Sequence, residues 1–271
     1  ETAQDRQVLK YLKRNADSQV YLCSTKQKKA EYQMEKVIII GASSGIGREV
    51  ALLYSKTEAR IGIMGRRENK LKELASRAPD KFIAKACDIS NTASTEHALT
   101  ELTEKLGGVD TIIVSAGTGE LNDALEYGPE ARTIATNIVG WTYIIDWSIR
   151  HFIKQGYGHL AVITSVGGLR GNGTAPAYNA SKAYQINYTE GIRQKIFKLK
   201  LPIYITDIRP GFVDTAMAKG EGLFWIAPVE TAGKQIFRAM KNKKKTIYIT
   251  KRWKLIAFIL KAVPSFLYCR I

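Results

Sequence analysis

Cysteine is scarce in this sequence of 271 residues, and its three copies lie far apart. Cys23, Cys87 and Cys269 show no metal-ligand spacing, and their odd number argues against a disulfide framework. We therefore expect no metal site and a reducing, cytoplasmic environment. The first residues also lack the apolar run of a signal peptide, which agrees with that environment.

Acidic residues are missing from the C-terminal part of the chain. The formal net charge is +16, yet residues 37–233 are almost neutral, with 22 Lys and Arg against 20 Asp and Glu. Residues 234–271 contain 11 Lys and Arg and no acid. Such a basic segment indicates an anionic partner surface, either a membrane or a nucleic acid. The neutral body and the lack of a nucleic-acid reader motif argue against nucleic acid.

The sequence has no internal repeat and no low-complexity linker, and its length suits one α/β domain. Short apolar runs alternate with longer helix-compatible stretches, which predicts a single doubly wound parallel sheet of about seven strands with helices on both faces. The predicted strands are 37–40, 60–64, 82–86, 111–115, 159–164, 203–208 and 246–250. The predicted helices are 45–56, 68–77, 91–106, 130–155, 178–199 and 229–241.

Three regions follow from this pattern. Residues 1–35 are polar and lysine-rich and are interpreted as a flexible basic extension, residues 36–250 form the α/β domain, and residues 251–271 form a basic amphipathic tail. Met34 directly precedes the first predicted strand, so the residues before it are a candidate non-native extension.

A glycine-rich turn connects the first strand to the first helix. Gly41 permits a tight turn, Gly45 lets the backbone approach a pyrophosphate, and Gly47 permits close packing of the helix on the sheet. The N–H groups at the start of the helix favour phosphate, so a dinucleotide is the predicted ligand. The alternative is a glycine turn without a ligand. The candidate binding residues of this turn are Gly41, Ser43, Ser44, Gly45, Ile46 and Gly47.

The end of the second strand indicates which dinucleotide is bound. The segment Met64-Gly65-Arg66-Arg67 has no acid to bind a ribose 2′-hydroxyl, whereas a guanidinium suits a 2′-phosphate. We therefore expect NADP(H), with Arg66 as the first candidate and Arg67 as the second. The alternative is a solvated helix start, although arginine there is unfavourable to the helix dipole.

Tyr178 and Lys182 are four residues apart and therefore share one face of a helix. A neighbouring ammonium is expected to lower the pKa of the phenol, so that Tyr178 can transfer a proton to or from a substrate oxygen. Ser165, at the end of the fifth strand, can hydrogen-bond the same oxygen. Taken alone, a tyrosine and a lysine at this spacing are common on helix surfaces.

Over about residues 36–250 the sequence resembles the short-chain dehydrogenase/reductase family, which has a Rossmann fold. The motifs that match, in order, are Gly41-x-x-x-Gly45-x-Gly47, Asp88-Ile89, Ser115-Ala116-Gly117, Asn137, Ser165, Tyr178-x-x-x-Lys182 and Pro210-Gly211.

The resemblance implies roles for these residues. It implies that Ser165, Tyr178 and Lys182 are catalytic and that Asn137 holds a water connecting the lysine to solvent. It also implies cofactor contacts, with Asp88 near the adenine and others at Ile89, Ser115, Ala116, Gly117, Tyr178, Lys182, Pro210, Gly211, Val213 and Thr215. A purely structural role stays open for Asn137. Two positions depart from the family pattern: Ile40 replaces a usual threonine and Ser115 a usual asparagine, and we expect altered stability or cofactor affinity.

Residues 212–228 correspond to a mobile substrate lid in the family. Gly220 and Gly222 are candidate hinges, and Phe224 and Trp225 offer an apolar wall. Packing of both aromatic residues into the core is the alternative. Either way, an apolar or bulky substrate is favoured.

The tail places Lys and Arg beside Trp253, Phe258 and other apolar residues in a run too short to span a bilayer. This pattern suits a helix lying in an anionic membrane interface, and it resembles the tails of membrane-associated relatives that reduce lipid-linked ketones. The alternative is a helix packed on the body or on a second subunit.

The function predicted from these features is NADP(H)-dependent reduction of a ketone, or oxidation of a secondary alcohol, on an apolar or lipid-like substrate. The alternative is an NADP(H)-binding sensor or scaffold without turnover. The resemblance implies a homodimer or homotetramer formed through helices 130–155 and 178–199. The predicted location is cytoplasmic, with peripheral contact to the inner face of a membrane.

Overall fold

A computed structural model of the chain describes residues 34–218 and 223–270. The predicted extension up to residue 33, including Cys23, and the predicted hinges Gly220 and Gly222 lie outside the described residues. A compact unit begins at Glu35.

The core of this unit is a parallel sheet of seven strands in the order β3-β2-β1-β4-β5-β6-β7. The strands are β1 (Lys36–Ile40), β2 (Arg60–Gly65), β3 (Phe82–Ala86), β4 (Thr111–Val114), β5 (Gly158–Ile163), β6 (Ile203–Pro210) and β7 (Thr246–Ile249). Each predicted strand is present within two residues of its predicted ends, and the predicted fold class is confirmed.

The central strand β1 shows why the chain folds this way. Its residues Val37–Ile40 are fully buried, and Val37 pairs with Ile61 of β2 on one side and Thr111 of β4 on the other. Alternate side chains of β1 enter two separate apolar clusters, one under each layer of helices. A run of β-branched residues suits such a strand, because both of its faces are removed from water.

Helices cover both faces of the sheet. They are α1 (Gly45–Ser55), α2 (Glu68–Ala75), α3 (Thr92–Leu106), α4 (Tyr127–Ile134), α5 (Trp141–Gln155), α6 (Pro176–Leu199), α7 (Val229–Lys241), α8 (Lys251–Ala262) and α9 (Ser265–Tyr268). A short 3₁₀ turn, Val166–Leu169, precedes α6.

The predicted helix 130–155 differs from the observed one. Between α4 and α5 the helix widens into a π-helical segment, Ala135–Gly140, which periodicity does not predict. A Cβ at Gly140 would lie 2.1 Å from the carbonyl oxygen of Ile89, so the helix passes in direct contact with the loop after β3. The extra residue of a π turn changes which side chains point inward, and π turns are frequent at functional sites.

The strand order reverses between β1 and β4, and the carboxyl ends of both strands open on the same edge of the sheet. In sheets of this type, ligands bind at that edge. The tail begins there as α8, which Trp253 and Ala257 anchor to the body. In the described part of the chain, no helix is both long and apolar enough to cross a bilayer.

Candidate active site

The glycine turn between β1 and α1 is closely packed. Gly41 and Gly45 have φ of +89° and +55°, conformations that favour glycine. A Cβ at Gly41 would lie 2.4 Å from the backbone nitrogen of Ala116, and a Cβ at Gly47 would lie 2.4 Å from the carbonyl oxygen of Gly41. The turn therefore holds the start of α1 against the ends of β1 and β4.

Among the described residues, the N-cap side chain leaves the N–H groups at the start of α1 uncapped. Ser44 occupies the N-cap position but makes no side-chain capping hydrogen bond, and the first turn contains no acid. Ile46 packs against the core and fixes the orientation of this turn. Free N–H groups and the positive end of the helix dipole favour an anion, so these residues fit the pyrophosphate of a dinucleotide.

Arg67 is directed at this turn. Its guanidinium donates hydrogen bonds to Ser43 Oγ at 2.8 and 3.2 Å and to Ser44 Oγ at 2.5 Å. Arg66 points away from the turn, with its Nη1 4.0 Å from Oδ2 of Asp88. The sequence suggested Arg66 as the first candidate, whereas the geometry brings Arg67 to the glycine turn and Arg66 to the neighbouring loop.

A cleft of about 260 Å³ extends from Arg66 along the carboxyl ends of the strands. It is lined by Arg66, Asp88, Ser90, Thr118, Glu120, Arg132, Ala135 and Thr136. The Asp88 carboxylate is held in place by the backbone N–H and hydroxyl of Ser90, at 3.0 and 2.9 Å. Ile89 is buried beneath this loop. The cleft thus lies at the loop after β3, where the family resemblance implies the adenine of a cofactor.

Ser165 and Tyr178 meet at the end of β5. Ser165 caps the 3₁₀ turn, where its Oγ accepts from the N–H of Gly167 at 3.0 Å and donates to the carbonyl of Pro210 at 3.4 Å. Burial raises the pKa of Tyr178, and a hydrogen bond with Ser165 offsets part of that increase. The sequence predicted a lowered pKa, but the loss of solvent around the buried phenol is the larger effect and raises it. Tyr178 is therefore a neutral phenol that can donate a proton at neutral pH.

Lys182 lies one turn further along α6, and its side chain is buried. Its Nζ donates to the carbonyl of Ile163 and to Oε1 of Gln185, both at 3.0 Å, and lies 5.8 Å from the centroid of the Tyr178 ring. Burial lowers the pKa of Lys182 to about 8, and the charge of Asp207 opposes this decrease. The ammonium therefore titrates close to neutral pH, beside the phenol.

Asn137 lies in the π-helical segment and is completely buried. Its side chain accepts from the N–H of Thr118 at 2.9 Å and donates to the carbonyl of Thr118 at 2.7 Å and to Ser181 Oγ at 3.0 Å. Its side chain thus ties the loop after β4 to α6. These contacts fit the structural role that the sequence analysis left open.

Gln185 is the residue that sequence reasoning missed. While Oε1 of Gln185 accepts from Lys182, its Nε2 donates to the backbone carbonyl of Asn137 at 2.9 Å. One buried amide therefore joins the lysine to the π-helical segment. A signal was available in the sequence, because Gln185 follows Lys182 by three residues and so shares its helix face.

The loops after β4 and β6 close around the glycine turn. A Cβ at Gly117 would lie 3.3 Å from Asn137 Oδ1 and 3.6 Å from Lys182 Nζ, so the loop after β4 passes close to both side chains. Val213 is buried and pairs with Ala227, and the methyl group of Thr215 would lie 3.1 Å from a Cβ on Gly45. These contacts bring the predicted cofactor residues on three loops to one place.

An aromatic cluster borders the site where the chain leaves β6. The Trp253 ring packs on Gly211, whose Cβ would lie 1.9 Å from it, with the rings of Phe212 and Phe224 at 5.3 and 5.2 Å. Phe224 and Trp225 remain 45% and 42% exposed. The two aromatic residues predicted as an apolar wall are thus not core residues, which favours the first of the two sequence interpretations.

The two departures from the family pattern lie beneath the glycine turn. Ile40 is fully buried and packs in the apolar cluster that also contains Met64 and Val114. The N–H of Ser115 donates to the carbonyl of Ile40 at 2.8 Å. Apolar packing of Ile40 and this backbone hydrogen bond therefore stabilise the region beneath the glycine turn. In the family pattern, a threonine at the position of Ile40 would add a hydroxyl there.

The chain is similar in sequence to known dehydrogenases and oxidoreductases. A family model described as short chain dehydrogenase matches residues 35–223. An uncharacterized oxidoreductase of Mycobacterium tuberculosis is 32% identical over 219 residues, which cover 77% of this chain and 85% of that protein. An uncharacterized oxidoreductase of Staphylococcus epidermidis is 29% identical over 189 residues, covering 69% and 81% respectively.

Solved structures share the fold at lower sequence identity. A short chain dehydrogenase/reductase from Burkholderia phymatum in complex with NAD has a TM-score of 0.75 at 18% identity, covering 85% of this chain and 94% of that chain. ElxO with NADP bound has a TM-score of 0.70 at 21% identity, covering 80% and 97%. A 3-ketoacyl-(acyl-carrier-protein) reductase from Brucella melitensis complexed with NADH has a TM-score of 0.71 at 20% identity, covering 79% and 96%.

Proposed function

Since the chain belongs to the short-chain dehydrogenase/reductase family, we propose that it is an NADP(H)-dependent oxidoreductase that reduces a ketone or oxidises a secondary alcohol. The observation that carries this proposal is the placement of Ser165, Tyr178 and the Lys182 ammonium around one point beside the glycine turn. A phenol, a hydroxyl and a cation at one point suit proton transfer at a carbonyl oxygen.

In the direction of reduction, Ser165 donates a hydrogen bond to the substrate oxygen and Tyr178 donates a proton to it. A bound nicotinamide supplies the hydride that reaches the carbonyl carbon. The phenolate left on Tyr178 is stabilised by the Lys182 ammonium, which lies on the same helix face. Oxidation of an alcohol reverses these steps, with the phenolate taking up the proton.

We propose that Gln185 holds the Lys182 side chain in position. The resemblance implies a water held by Asn137, whereas here the Gln185 amide spans from Lys182 to the Asn137 carbonyl. Asn137 is thus a positioning residue in this proposal, because it holds the loop after β4 on α6.

The preference for NADP(H) rests on Arg67 first and Arg66 second. Arg67 already contacts two hydroxyls of the glycine turn, and no acid lies between Met64 and Arg67. A guanidinium there stabilises a 2′-phosphate by charge-assisted hydrogen bonds. We expect Arg67→Ala to raise the Kd for NADPH at least tenfold with little change for NADH, measured by cofactor fluorescence. Equal loss for both cofactors would contradict this assignment.

An apolar substrate is favoured by the aromatic cluster at Phe212, Phe224 and Trp253, since it places apolar surface at the entrance after β6. We further propose that the protein is a cytoplasmic homodimer or homotetramer joined through α5 and α6. The exposed Phe197, at 84%, leaves apolar surface on α6 for such contact. Light scattering measures the mass.

The function is tested by NADPH oxidation with a panel of long-chain and lipid-linked ketones. Turnover that disappears in Tyr178→Phe, while NADPH binding by fluorescence is retained, supports the proposal. Phe is the matched replacement, because it removes only the hydroxyl group. NADPH binding without turnover on any ketone or alcohol would refute the enzymatic function in favour of a sensor or scaffold.

A further inference from the structure

The outward side of α8 is apolar although it faces solvent. Trp253 and Ala257 anchor the inner side of this helix and are 4% and 2% exposed. A helix turns by about 100° per residue, so Leu255, Phe258 and Ile259 lie on the side opposite Trp253. They are 59%, 71% and 44% exposed.

The same apolar character continues into α9, where Phe266 and Leu267 are 67% and 45% exposed. Arg170 fixes this segment, since its guanidinium donates to the carbonyl of Val263 at 2.6 Å and lies over the ring of Tyr268. The exposed apolar residues therefore stand on a fixed part of the protein. We call them the outer face: Leu255, Phe258, Ile259, Phe266 and Leu267.

Cations flank the outer face. By the same rotation, Lys254 and Lys261 lie on one side of the α8 apolar stripe and Arg252 on the other. Among the described residues, Lys251, Arg252, Lys254, Lys261 and Arg270 have no carboxylate partner within 4.0 Å. An apolar stripe between unpaired cations matches the interface of an anionic bilayer, where acyl chains lie below negative headgroups.

A second copy of the chain fits this face less well. Residues 234–271 contain 11 Lys and Arg and no acid, so two such faces brought together would repel each other. An anionic lipid surface supplies the missing charge and the apolar environment at once.

The outer face lies beside the candidate active site. The Trp253 ring, on the inner side of α8, packs on Gly211 and on Phe212, directly after β6. Arg170, at the end of the 3₁₀ turn that Ser165 begins, holds the end of α8. A surface that receives the outer face is therefore next to the entrance of the site.

We infer that the outer face docks the protein on an anionic bilayer, so that an amphiphilic carbonyl compound reaches the site from the membrane. The docking itself stands on the tail alone, whereas the substrate class rests on the proposed function. The three cations beside the stripe are Arg252, Lys254 and Lys261. Each is expected to strengthen binding to anionic vesicles about fivefold.

The test is co-sedimentation of the full chain with vesicles of phosphatidylcholine alone and of phosphatidylcholine with phosphatidylglycerol in equal parts. We expect binding to the anionic vesicles only, reduced by added salt. Phe258→Ser is expected to weaken this binding at least tenfold, because the exposed aromatic ring that would enter the bilayer interface is lost. Lys254→Gln is expected to weaken it about fivefold.

Matched controls use exposed residues away from the tail and from α5 and α6. Tyr127→Ser and Lys56→Gln remove an exposed aromatic ring and an exposed cation at such positions, and both variants are expected to bind vesicles like the wild type. Circular dichroism and NADPH binding confirm that each variant is folded.

Three outcomes would overturn the docking: no preference for anionic vesicles, equal loss in the control variants, or an outer-face variant that changes only the oligomer mass. The last would assign the face to a second copy. Failure of the proposed function would give a different result. The wild type would still bind anionic vesicles and Phe258→Ser would still bind them less, but no ketone would be turned over. Turnover with unchanged rates on bilayer-embedded ketones in Phe258→Ser would overturn the substrate class.

Discussion

The buried lysine beside the phenol leads to a prediction about stability. Burial lowers the pKa of Lys182 in the folded chain to about 8, from the ordinary lysine value of 10.5. Between these two values the unfolded chain holds a proton that the folded chain has released, so stability rises with pH in that window. Below pH 8 the folded state carries the full cost of a buried ammonium. Between pH 7 and 10 we therefore expect Lys182 to add about 2.5 kcal/mol to the unfolding free energy.

The perturbation that isolates this effect is Lys182→Met, which keeps the length of the side chain but cannot titrate. Urea unfolding of wild type and variant is followed by circular dichroism at pH 7, 8, 9 and 10, and the difference between the two free energies is plotted. Other groups titrate alike in both proteins and cancel. We expect the unfolding free energy of the wild type to rise relative to that of Lys182→Met as the pH rises. The control Lys198→Met changes an exposed lysine and should differ from the wild type by the same amount at every pH. A constant difference for Lys182→Met would refute the burial argument.

Three further predictions concern other positions. Gly47→Ala places a Cβ 2.4 Å from the Gly41 carbonyl oxygen, so we expect at least tenfold weaker NADPH binding by fluorescence; unchanged binding would show that the turn can relax. Gln185→Leu removes one hydrogen-bond acceptor of the Lys182 ammonium, and we expect the unfolding free energy measured in urea to fall by about 2 kcal/mol. Gln185→Glu keeps an acceptor and is expected to lose less; an equal loss in both variants would contradict this role. Burial lowers the pKa of His159 to about 4, so only the unfolded chain gains a proton as the pH falls below about 6.5. The unfolding free energy is therefore expected to drop by about 2 kcal/mol between pH 7 and 5. His159→Gln should remove this part of the pH dependence in urea unfolding, and an unaltered pH dependence would contradict the burial argument.

Much of the fold follows from contiguous stretches of sequence. The run Val37–Ile40 is apolar at every position, and only a strand covered on both faces buries it entirely. The glycine turn, Tyr178 and Lys182 are similarly local, because fixed spacing on a turn or a helix sets which side chains share a face. These features could be predicted without knowledge of distant contacts.

Other features of the site depend on distant contacts. Arg66 and Arg67 are neighbours with the same chemistry, and only the path of the chain after β2 directs Arg67 to Ser43 and Ser44. The raised pKa of Tyr178 could not be predicted from the sequence either. Residue spacing shows that a charge is near, but not how much solvent the fold removes from the phenol.

The sequence by itself determined the layers of the fold and the identity of the reactive groups, because both are encoded by periodicity and by residues a few positions apart. Tertiary structure alone decided which groups touch. Gln185 meets a carbonyl 48 positions earlier in the chain, and Trp253 turns inward while Phe258 turns outward. Such choices depend on which surfaces meet after the sheet has formed, and packing between distant segments leaves no periodic signal in the chain.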